Sequence, residues 1–145
     1  MLKTWVVVAE SSRAKIFELN KKNTPLVELQ DFTHPSSRLH EQTISSDLPG
    51  STHDSHGPGS HKLSTQTSIK QHESMAFAKT IGQHIEKARN KGEFQKLILM
   101  SPPAFLGQLR KQLSNQTFKR IVSEIDKNLV KHKTHDIQAH LPFHF

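Results

Sequence analysis

With 145 residues, 33% of them hydrophobic, the chain has the size of one domain and enough apolar residues for a core. The absence of cysteine excludes a disulfide framework and a thiolate metal site, and the longest apolar run, Trp5 to Ala9, is too short to cross a bilayer. A formal charge of +7, from 20 Lys and Arg against 13 Asp and Glu, points toward polyanionic partners. No signal-peptide pattern is visible, so a cytoplasmic location without membrane insertion is expected.

Trp5-Val6-Val7-Val8-Ala9 is a continuous run bounded by Glu10-Ser11-Ser12. Such a run fits a strand covered on both faces and predicts the central strand. Ala14, Ile16 and Phe17 to Leu19 predict a second strand, ending in the polar turn Asn20 to Asn23 and pairing with the first as a hairpin. Pro25 precedes a third strand, Leu26 to about Phe32, broken at His34-Pro35. Three strands in series with short connections read as an antiparallel meander.

Residues 40–66 carry no apolar periodicity and include Gly50, Gly57 and Gly59 with His53, His56 and His61. They predict a mobile polar loop, and loops longer than about 12–15 residues in a compact domain are usually functional or disordered. The period then changes. Phe77, Ala78, Ile81, Ile85 and Ala88 recur at spacings of three and four, predicting a helix from near Ser68 to about Asn90, with Ser68 and Gln71 or Thr67 as cap and Gly92 as stop. Gly82 inside it signals either close packing or simple tolerance.

Phe94 to Met100 reads as a buried strand, and the long helix before it makes it parallel to a neighbour. Ser101-Pro102-Pro103 ends that strand and starts a helix carrying Phe105, Leu106, Leu109 and Leu113 inward. Ile121, Val122 and Ile125 fit a strand or a short helix; the turn-like Asp126-Lys127-Asn128 favours the strand. A terminal helix is expected over His135 to Leu141, with Thr134 as cap and Pro142 as stop. The sum is a single α/β domain over 1–145, a mixed five-stranded sheet with flanking helices in the order β-β-β-loop-α-β-α-β-α.

Candidate chemistry clusters in two places. His53, Asp54, His56 and His61 offer three imidazoles and a carboxylate, enough for a zinc ion, but their spacing on a glycine-rich loop does not force a site. The favoured reading is a polar tract with no metal and no cofactor. Gly57-Pro58-Gly59-Ser60-His61 precedes a helix as phosphate-cradling glycines do, yet it matches no nucleotide-binding pattern and Pro58 removes a donor. Ser55 and Ser60 stand beside histidines without the strand-turn-helix elbow a nucleophile needs. Between residues 110 and 133, Arg110, Lys111, Lys119, Arg120, Lys127, Lys131 and Lys133 face only Glu124 and Asp126. This excess reads either as a face for nucleic-acid phosphates or as a solubilising surface.

Five stretches together carry a family resemblance: Trp5 to Glu18; Asp47-Leu48-Pro49-Gly50 with the Gly/His loop; Leu97 to Gly107; Glu124 to Leu129; and Ile137 to Pro142. In this order they resemble the bacterial family called protein required for attachment to host cells, which is in turn similar to the middle domain of archaeal and eukaryotic peptide chain release factors. The resemblance implies a ribonuclease-H-like mixed sheet with a mobile loop before the long helix. In release factors that loop carries a Gly-Gly-Gln tip that assists peptidyl-tRNA hydrolysis through a backbone amide. This chain has no Gly-Gly-Gln; the nearest equivalent is Gly57 to His61, and a hydrolase would use Gly57, Gly59 and His61. The expectation is therefore a non-enzymatic ribosome- or RNA-associated protein whose basic C-terminal half and 40–66 loop meet the RNA, with Lys62, Arg110, Lys111, Lys119 and Arg120 as the binding residues. A release or rescue factor and a protein-interaction module affecting attachment are the alternatives.

Overall fold

Thr4–Ala9 forms β1, and all six of its residues are buried. The computed structural model describes residues 2–21, 23–34, 59–142 and 145 of the chain, with the side chains of the long helix from residue 68 onward. β1 pairs antiparallel with β2, Arg13–Leu19, so that Val7 stands opposite Ile16, and parallel with β4, Lys96–Met100, so that Val7 also stands opposite Leu99. β3, Val27–Thr33, adds antiparallel to β2, and β5, Ile121–Ile125, adds parallel to β4. The sheet order is β3-β2-β1-β4-β5. Only β2 runs against the other four, so the sheet is the mixed five-stranded one expected, with the Trp5–Ala9 run at its centre.

Alternation along the strands builds two cores. Trp5, Val7 and Ala9 with Leu97 and Leu99 face a layer made of Phe77, Ala78, Ile81, Ile85 and Ala88 from α1, Gly59–Asn90, and Phe105, Leu106 and Leu109 from α2, Pro103–Arg110. Val6 and Val8 with Phe17, Leu19, Ile98 and Met100 face the other way, onto Leu129 and Val130 after β5 and Ile137 of α4, Thr134–Ala139. His34 ties the end of β3 to α1 through Glu73, with Nε2 and Oε2 2.7 Å apart. A four-residue helix, α3, Asn115–Phe118, precedes β5.

Four details differ from the sequence reading. α1 starts at Gly59 rather than near Ser68, so residues 59–66 of the expected loop are helical, and Thr67 and Ser68 are interior rather than capping; residues 40–58 of that loop lie outside the described residues. The apolar stripe locates only the docked part of a helix, and nothing after Pro58 interrupts its polar beginning. α2 stops at Arg110, leaving Leu113 beyond its end although still packed on the first core. α3 was not anticipated; its cap, Ser114, accepts a hydrogen bond from Thr117 N at 3.2 Å. In α4, Thr134 is the first helical residue and the capping position is Lys133, with no side-chain cap.

Gly82 is a point of close approach. A Cβ there would sit 2.6 Å from Gln112 Cβ, a contact that no side-chain rotation relieves, whereas a Cβ at Gly107 meets nothing within 4 Å. Gly82→Ala is therefore expected to destabilise the protein by about 1–3 kcal/mol through overpacking, and Gly107→Ala to stabilise it by roughly 0.5–1 kcal/mol through helix propensity. Urea denaturation midpoints of the two variants check the opposite signs.

His84 stacks on Trp5 with ring centroids 5.9 Å apart and meets the edge of Phe32 at 5.1 Å. Burial pushes its imidazole pKa down, Glu93 opposes this, and Lys87 and Lys91 add to it. The unfolded imidazole, titrating near pH 6.5, therefore takes up a proton before the folded one does. Stability unaffected by this group above about pH 6.5 is lost as pH falls below it. The melting temperature of His84→Phe is expected to depend less on pH between 5 and 8 than that of the wild type.

Candidate functional site

The crossover from β4 to β5 carries four of the five basic residues expected to bind, Arg110, Lys111, Lys119 and Arg120. Arg110 closes α2 and Lys111 caps it; Lys119 caps α3 and Arg120 leads into β5, where its carbonyl accepts from Leu97 N at 2.9 Å. Lys111 and Lys119 are exposed and Arg120 is half-buried, and none of the three pairs with a carboxylate among the described residues. Arg110 is different. Its Nε donates to Glu124 Oε2 at 2.8 Å and its terminal nitrogen to Oε1, a two-pronged contact that raises its pKa further through the Glu124 hydrogen bond and charge. The pair neutralises the acidic side chain of β5, so the uncompensated charge of this face is positive.

Lys62 does not join them. It lies in the first turns of α1, whereas Ser114, at the start of α3, meets that helix at Glu86; the separation along the helix is about 36 Å at 1.5 Å per residue. The face instead gains residues that charge counting missed. Phe118 is 48% exposed and Val122 is 42% exposed, and with Ile121, Ser123 and Glu124 they line an open groove of about 270 Å³ along the sheet edge. Phe118 lies outside the apolar patterns that mark the core in the sequence. Its exposure follows from the phase of α3, which turns Thr117 fully inward instead.

The backbone under Phe118 is anchored to α1. Arg89 Nε donates to Thr117 Oγ1 at 2.8 Å, and Ser114 N donates to Glu86 Oε2 at 3.1 Å. Burial opposes ionisation of Glu86, but hydrogen bonds from Thr117 and Ser114 and the charge of Arg89 together hold its pKa below the usual value. Arg89 and Glu86 also stand 3.6 Å apart. These contacts fix α3 to the part of α1 that is itself docked on the core.

A second concavity, about 360 Å³, opens at the carboxyl ends of β1 and β4, the position where open α/β sheets commonly hold ligands. It is lined by Glu10, Ser11, Lys70, Ser74, Gln108 and Asn128 among others. Its polar groups largely satisfy one another. Asn128 Nδ2 donates to Glu10 Oε2 at 2.8 Å, Ser12 Oγ to Glu10 Oε1 at 3.1 Å, and Ser74 Oγ to Gln108 Oε1 at 2.6 Å. The arrangement clamps the end of β1 to the segment after β5 and α1 to α2. Sequence spacing could not reveal it, because Glu10 and Asn128 are distant in the chain.

Of the loop residues, Gly57, His53, Asp54 and His56 lie outside the described residues, and Gly59 and His61 belong to the backbone of α1. The several residues expected between these glycines and the helix are absent, since Gly59 is the first helical residue. Among the described residues no group of three or more His, Cys, Asp or Glu is placed to hold a metal ion, and no helix is long and apolar enough to cross a membrane.

The family model described as "Protein required for attachment to host cells" matches residues 5–141, and the chain belongs to that family. It is 31% identical over 83 residues to "Uncharacterized protein RP470" of Rickettsia prowazekii (strain Madrid E), a match over 56% of this chain and 55% of that protein. The chain thus matches about half the length of this relative. A solved structure described as "Archaeal protein" aligns with 94% of the chain and 35% of its own length, at 10% identity and a TM-score of 0.39.

Thr117 supplies a test of the anchor. Replacing it with valine keeps the buried volume but removes the hydroxyl that Arg89 and Ser114 engage. Thr117→Val is expected to cost about 1–3 kcal/mol of stability, because a partly buried guanidinium loses its acceptor. Equilibrium denaturation measures it directly.

Proposed function

We propose that this host-attachment-family chain is a non-enzymatic, cytoplasmic RNA-binding protein that meets RNA, ribosomal RNA included, through the β5 side. One observation supports the reading: Lys111, Lys119 and Arg120, at the ends of α2 and α3 and the entry to β5, have no carboxylate partner among the described residues, while Glu124 of β5 is paired with Arg110. Cations placed this way can contact phosphates without first breaking an internal ion pair. The overall charge of +7 adds a long-range attraction of the same sign. An effect on attachment to host cells would in this reading be indirect, through translation or its regulation. The lack of Gly-Gly-Gln in the chain favours binding over peptidyl-tRNA hydrolysis.

Sedimentation with ribosomes and their subunits through sucrose gradients at low and moderate salt tests the proposal. Salt-sensitive comigration is expected, and it should be lost when Lys111, Lys119 and Arg120 are all replaced by glutamine. With a single-stranded RNA, removing three phosphate contacts should lower the slope of log K against log salt by about 2. Salt-insensitive binding, or an unchanged slope in the triple variant, would count against this face.

A further inference from the structure

We infer that the β5 side is a site for single-stranded RNA in which Phe118 is the stacking platform for an unpaired base. The inference rests on the RNA-binding reading above and specifies the form of RNA recognised. Phe118 has no place in either hydrophobic core and is 48% exposed, although its neighbour Thr117 is fully buried on the same short helix. It is also held in place: Ser114 caps α3, and Arg89 and Glu86 fasten that helix to α1. A pre-positioned aromatic binds at little ordering cost. Lys119 and Arg120 follow it directly, Lys111 stands at the end of the preceding helix, and the groove of about 270 Å³ running from Phe118 along Val122 and Ser123 has room beside the ring for a base. An aromatic flanked by cations and beside an open sheet edge is the combination that holds single strands, because only an unpaired base offers its face to the ring while phosphates meet the cations.

The same edge is poorly suited to accepting a protein strand. The β4–β5 register jumps from Leu97 opposite Ile121 to Ile98 opposite Ser123, so Val122 is bulged out of the ladder at the second residue of β5. A bulge of this kind turns an edge strand away from continuous pairing with another chain.

The test is fluorescence anisotropy of wild type, Phe118→Ala and Phe118→Trp with four labelled 12-mers: single-stranded RNA, the same RNA as a duplex, the same strand with abasic sites, and single-stranded DNA. Because the ring packs in neither core, the variants should fold, and matching melting curves confirm it. Phe118→Ala is expected to weaken single-stranded RNA binding by about 5- to 150-fold with its salt slope unchanged, while Phe118→Trp keeps wild-type affinity. Duplex and abasic strands should be indifferent to both changes. Wild-type affinity of Phe118→Ala for the single strand, or equal losses on the duplex and abasic strands, would overturn the stacking role while leaving the basic face intact. Single-stranded DNA offers the same base faces and phosphates, so Phe118→Ala is expected to weaken its binding as well, and indifference there would overturn the stacking role. Failure of the wild type to bind any 12-mer at low salt would remove the RNA-binding reading and this inference together.

Discussion

The burial of β1 on both faces is the constraint from which the rest of the structure follows. Six consecutive residues, Thr4 to Ala9, are shut off from solvent. A buried strand must satisfy its backbone on two sides, and β2 and β4 do this, one antiparallel and one parallel. Its side chains demand a layer above and a layer below, each buried valine contributing on the order of 1.5–3 kcal/mol relative to exposure. α1 and α2 cover one face, and α4 with Leu129 and Val130 covers the other.

The face assigned to binding lies where this constraint relaxes. β5 is the outermost strand on its side, and its residues are half-buried or exposed. The end of α2 meets β5 through Arg110 and Glu124, and α3 leads directly into β5. Charge and shape are then set by contacts that have nothing to do with the core. The Arg110–Glu124 pair cancels the acid on β5 and leaves Lys111, Lys119 and Arg120 as the net charge. The Glu86, Arg89, Ser114 and Thr117 network carries rigidity outward from α1 to the residue that presents Phe118. The cleft at the carboxyl ends of β1 and β4 shows the opposite arrangement, with polar groups turned toward one another as a clamp.

Much of the architecture was legible in the chain, for identifiable reasons. Val6-Val7-Val8 has too many adjacent β-branched residues for anything but a doubly covered strand, and the Phe77 to Ala88 stripe has only one face to bury. The start of α1 was not legible, because a helix that extends past its core contact has no apolar residues to mark it. The exposure of Phe118 was not legible either: hydrophobic identity predicts burial on average, but a four-residue helix with a buried Thr117 leaves its aromatic outside. Lys111, Lys119 and Arg120 were visible as a charge excess. That Arg110 is spoken for by Glu124, and that Lys62 sits far along α1 from the others, required the fold. The expectations for residues 40–58 concern a part of the chain outside the described residues.

Ultraviolet cross-linking of the purified protein to a single-stranded RNA at low salt, followed by mapping of the modified peptides, tests the central claim most directly. Adducts are expected to concentrate between Lys111 and Glu124, with Phe118, Lys119 and Arg120 foremost. Adducts confined to α1 or to the Glu10–Asn128 cleft, with none on the β5 side, would contradict it.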